Sequence, residues 1–92
     1  MKIIEVTIVK AGGGKVVARA DVHFEGFLLK GFKVIQDPET HKEYVTPPSY
    51  LAGGRFWRPL FKTDNEADWE EIQKEILNKF NTQQIQEVIN ED

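Results

Sequence analysis

Residues 15–24 constrain the fold more than any other stretch. Val16, Ala18, Ala20, Val22 and Phe24 fall on one side, and Val17, Arg19, Asp21 and His23 on the other. Alternation with period two describes a half-buried β-strand with one wet face and excludes an amphipathic helix, whose period is 3.6. Such a strand needs neighbours. Residues 2–10, rich in Ile and Val, read as the strand before it, joined by the flexible turn Ala11-Gly12-Gly13-Gly14 into a hairpin. After a short turn at Glu25-Gly26, residues 27–36 read as a third strand. Strict alternation puts Phe27, Leu29 and Ile35 on one face and Leu28, Phe32 and Val34 on the other. Both faces are then partly apolar, as in a central strand or one covered by a helix or a partner chain. Gly31 inside it signals a bulge or a close backbone approach.

The pattern stays extended for a while and then changes period. Asp37 to His41 reads as a turn, residues 42–46 as a short strand, and Pro47-Pro48 ends it because neither residue donates to a ladder. Residues 49–54 read as a loop, and residues 55–62 as a fifth strand that Pro59 confines to an edge or breaks. Thr63 and Glu66 have capping-box spacing. Residues 65–80 then place Trp69, Ile72, Ile76 and Phe80 on one helical face. Glu70–Lys74 and Glu75–Lys79 are favourable i,i+4 pairs. Thr82 can cap a second short helix, with Ile85, Val88 and Ile89 on its apolar side. The expectation is one α+β domain over residues 1–92. Its antiparallel sheet has about five strands (residues 2–62), followed by one or two C-terminal helices (residues 65–90). The second apolar face of the third strand calls for another cover, and a homodimer supplies it.

Ninety-two residues sustain one core. Cysteine is absent, which excludes disulfides, cysteine-rich zinc sites and thiol catalysis. No apolar run reaches the ~20 residues of a membrane span, and no signal-peptide h-region stands near the N-terminus, so a cytoplasmic protein without membrane association is expected. The net charge of −3 hides an asymmetry. Residues 1–62 hold ten Lys and Arg against six acids, a net +4, whereas residues 63–92 hold two Lys against nine acids, a net −7. A mildly basic body thus precedes an acidic segment, an arrangement suited to a polyanion if the acidic part points away; a solvated amphipathic helix after a sheet, the favoured reading of the helix itself, accounts for the same acids.

Catalytic signatures fail one by one. Gly12-Gly13-Gly14-Lys15 lacks the glycine spacing and the Ser or Thr of a phosphate loop, since Val16 follows the lysine. His23 and His41 are the only histidines and have no metal-ligand spacing. Ser49 is the only serine and stands in no nucleophile motif. No catalytic residue, metal or cofactor is assigned, and the chain reads as a non-enzyme. Residues 50–62 are more informative, interleaving Tyr50, Phe56, Trp57 and Phe61 with Arg55, Arg58 and Lys62. Aromatic rings stack on unpaired bases while Arg and Lys hold phosphates. A core or interface role for the same aromatics stands beside that reading, and it is favoured for Phe56, Leu60 and Phe61.

Several ordered pieces resemble the SpoVG (stage V sporulation protein G, or septation protein) family. They are the third strand ending in Lys33-Val34-Ile35, then Tyr44-Val45 and the pair Pro48-Ser49 two residues on. Gly54-Arg55-Phe56-Trp57 and a helix ending near Phe80 follow. The resemblance spans about two thirds of the chain. It implies a small dimeric bacterial regulator that binds DNA or RNA and influences septation, sporulation or gene expression. The chain departs from the pattern where Tyr50 and Leu51 replace basic residues after Pro-Ser, and where Arg58-Pro59-Leu60 stands near an Ala-His-Pro. The residues expected to contact nucleic acid are Lys33, Arg55, Arg58 and Lys62, with Tyr50 or Trp57 as a stacking surface. The alternative is a protein–protein interaction module with no nucleic acid, suggested by a pI near 5.4.

Overall fold

A computed structural model of the chain describes residues 2–11 and 14–90, with the backbone alone over residues 84–90. Strands β1 (Ile3–Lys10), β2 (Val16–Phe24), β3 (Phe27–Gln36) and β4 (Glu43–Thr46) form an antiparallel sheet in the order β1-β2-β3-β4. Strands β5 (Ser49–Ala52) and β6 (Phe56–Pro59) form a separate two-stranded sheet, and helix α1 (Glu66–Asn90) follows. The architecture is α+β, as the sequence predicts, but six strands in two sheets replace the single sheet of about five. The stretch expected as a loop supplies the extra strand. Gly53 and Gly54 both adopt left-handed φ, +60° and +70°, and the Arg55 N–H donates to the Ala52 carbonyl at 3.2 Å. Two successive residues in that region favour glycine, which has no Cβ to clash, and the tight turn lets Ser49–Ala52 pair back on β6. The 55–62 strand is correspondingly shorter, ending at Pro59.

The alternation read from residues 15–24 holds from Ala18 to Phe24 but is corrected at its start: a register shift pairs Val16 with Ile35 and Ala18 with Val34, so Val17 packs against the core and Val16 faces the other way. Ala18, Ala20, Val22 and Phe24 are buried on one face of β2, while Arg19 and His23 are exposed on the other. The expected faces of β3 are corrected at Gly31. Ala20 opposes Phe32 and Asp21 opposes Lys30, so Gly31 is an extra, unpaired residue. Its φ is +99°, and its N–H donates to Asp21 Oδ1 at 3.3 Å. A bulge of one residue reverses side-chain parity. Phe27 and Leu29 before it therefore share a face with Phe32 and Val34 after it. Phe27 stacks on Phe24 with ring centroids 4.8 Å apart, and Leu29 packs against the core.

That face carries the core. Val6 and Ile8 of β1, Val45 of β4, and Ile72, Ile76 and Phe80 of α1 join the buried residues of β2 and β3. Fully burying side chains such as Ile72 and Ile76 stabilises by about 1.5–3 kcal/mol each. Trp69 is half-buried, its ring stacked on Phe32 at 6.3 Å. The helix cap is also corrected. Asn65 Oδ1 accepts the Ala67 N–H at 2.9 Å, and Thr63 Oγ1 accepts only the Asn65 N–H at 3.3 Å. Asn65 directly precedes the first helical residue, which is where a cap oxygen reaches the free N–H groups; Thr63 stands too far upstream. One helix replaces the two-helix alternative, because Asn81 and Thr82 weaken a helix without breaking it. The side chains of Ile85, Val88 and Ile89, and Gly12 and Gly13 of the first turn, lie outside the described residues. No helix among the described residues is long and apolar enough to cross a membrane.

Candidate functional site

With α1 on one face of the sheet, the other face stays open. Strand alternation and the bulge at Gly31 put Arg19, Lys30, Lys33 and Ile35 there. Arg19 and Lys33 are directly opposed across the β2–β3 ladder. Like charges in opposed positions destabilise a sheet by a few tenths to about 1 kcal/mol, and a bound anion removes that cost. Asp21, on the same face, accepts the Gly31 N–H and opposes Lys30. The exposed acids Glu66, Glu70, Glu71 and Glu75 belong to the helix on the far side of the sheet.

The hairpin β5–β6 folds toward this open face at its β4 end. Lys33 Nζ lies 4.6 Å from the Trp57 ring centroid, a cation–π contact worth about 0.5–1 kcal/mol at an exposed site. Trp57 is nonetheless 63% exposed. A groove of about 520 Å³ separates hairpin from sheet, with Val16, Ile35, Pro47 and Pro59 as its apolar walls. Lys33, Thr46, Ser49 and Trp57 complete its lining. Ile35 is half-buried there, so the second cover assigned to a partner chain is partly supplied by the chain's own hairpin.

Of the six residues singled out in the sequence, Lys33 and Trp57 meet in this groove. Tyr50 and Arg58 are cross-strand neighbours on the opposite face of the hairpin. Arg55 sits at the hairpin turn. Lys62 belongs elsewhere: it lines a second apolar groove of about 340 Å³ with Phe61, Glu66 and Trp69, at the start of α1. Phe61 lies past the end of β6, half-buried, with its ring edge-on to Phe32 at 5.8 Å. Arg19 was missed. Its place on a wet strand face was evident, but opposition to Lys33 depends on register. Among the described residues no three or more His, Asp or Glu converge as metal ligands do.

The N–H groups of Glu39 and Thr40, at 2.8 and 3.3 Å from Asp37 Oδ1, hold the Asp37 carboxyl below the ordinary range, with a smaller contribution from Lys15. It shapes the β3–β4 turn and is not part of the groove. The chain matches no protein-family model and no curated protein.

Proposed function

We propose that this chain is a dimeric, cytoplasmic nucleic-acid-binding regulator of the SpoVG kind, acting in septation or gene expression by binding rather than catalysis. The observation that carries the reading is the directly opposed Arg19–Lys33 pair with Trp57 over Lys33, on the sheet face away from the acidic helix. Paired cations bind successive phosphates, and an exposed ring takes a base. Tyr50 and Leu51 stand where the family carries basic residues, so in this chain the sheet provides the central cations, with Arg55 at the rim.

The dimer in this reading uses the outer side of the hairpin. Tyr50 and Phe56 share the hairpin face opposite Trp57, and Phe56 is 65% exposed. A second copy seated there covers both rings, leaves the Lys33–Trp57 groove open and doubles the cationic surface. The same exposed residues, with Leu60, favour the second reading, a protein–protein module whose partner covers the hairpin. Fluorescence anisotropy with labelled single-stranded RNA and duplex DNA, on protein sized by light scattering, separates the two. A dimer whose binding weakens as salt rises supports the regulator. A lack of binding even at low salt favours the protein partner.

A further inference from the structure

The groove between hairpin and sheet has features that phosphate binding does not use. It is walled by Val16, Ile35, Pro47 and Pro59, and its volume of about 520 Å³ lies within the ~300–1,000 Å³ usual for small-ligand pockets. Trp57 stands at its edge, mostly exposed, with Lys33 at 4.6 Å from the ring. An anion held by that ammonium therefore lies within one nucleotide's reach of both ring and groove. We infer that the groove receives a single unpaired base, which takes the place of the Lys33 ammonium over the Trp57 ring, while Lys33 moves off the ring to hold the phosphate of the same nucleotide. The preferred ligand is then a single strand.

This inference rests on the nucleic-acid reading and adds its selectivity. A base in a duplex is already stacked and paired, and extruding it costs a few kcal/mol. A base in a single strand enters the groove without that penalty. The walls are apolar, and the Thr46 and Ser49 hydroxyls each donate or accept, so the groove accepts several bases.

The test compares three labelled ligands of equal length at low salt: a thymidine strand, the same strand with abasic residues, and a duplex. The expected result is that the thymidine strand binds about tenfold or more tighter than the abasic one, as one stacked base predicts. The duplex should fall below the thymidine strand. Trp57→Ala should abolish the preference for the thymidine strand over the abasic one, and Trp57→Phe should keep part of it, with circular dichroism showing both variants folded. Equal affinity for thymidine and abasic strands, or a duplex bound as tightly as the single strand, overturns the inference while leaving phosphate binding intact. Failure of all three ligands to bind overturns the underlying reading as well.

Discussion

Gly31 decides which side chains the third strand buries. Its φ of +99° lies in the region L side chains rarely adopt. A Cβ there would meet Pro48 Cβ at an ordinary 3.7 Å, so the penalty of a substitution is conformational and not steric. Gly31→Ala should cost about 1–2 kcal/mol in urea unfolding; an unchanged midpoint would mean that the bulge is not needed. The glycine announced a bulge from sequence alone. Its consequence was not readable, because parity reverses only relative to a partner strand, and the partner register is a tertiary property. Asp37 illustrates a different residue effect. Its folded-state pKa is lowered by the N–H groups of Glu39 and Thr40, so its stabilising contribution is present above the unfolded value near 3.9 and is lost as pH falls through the folded value. Asp37→Ala should therefore melt below wild type at neutral pH, and the gap should close in acid. A gap that persists unchanged in acid would show that the carboxylate's charge is not what holds the turn.

At the scale of elements, local chemistry was a good guide where it acts through neighbours in sequence. The spacing of Trp69, Ile72, Ile76 and Phe80 gave the buried helix face, because a helix fixes which residues align whatever it packs on. The cap was misplaced by following the Thr63–Glu66 spacing while Asn65, the better-placed acceptor, stood adjacent to the helix. Asn65→Ala should lower stability by about 1 kcal/mol, and Thr63→Ala by clearly less. The reverse order in thermal melts would restore the capping box. The β5–β6 hairpin was half-seen. The Gly53-Gly54 turn is in plain view, but the four residues Ser49–Ala52, wedged between Pro48 and Gly53, are too short a run to show a period, and the strand exists only through its pairing with β6.

The whole molecule divides its charge by layers. The sheet separates the helix and its exposed acids from the face bearing Arg19, Lys30 and Lys33, so a chain of net −3 gathers three cations on a face whose own acids are Glu5 and Asp21. The asymmetry between residues 1–62 and 63–92 is legible in the sequence. Which cations share a surface is not, because strand register and packing decide it: Lys62 lies in a separate groove, while Arg19 stands opposite Lys33. The most direct test is the salt dependence of binding to a labelled single-stranded RNA of about 12 nucleotides, within the site size of small binding domains, for wild type and the Arg19→Ala/Lys33→Ala double variant. Each phosphate contact contributes about −0.7 to the log–log slope for a single strand, so loss of two contacts should make the slope shallower by about 1.4 and weaken binding at low salt. A double variant that keeps the wild-type slope and affinity would contradict the assignment of Arg19 and Lys33 as the phosphate-binding pair.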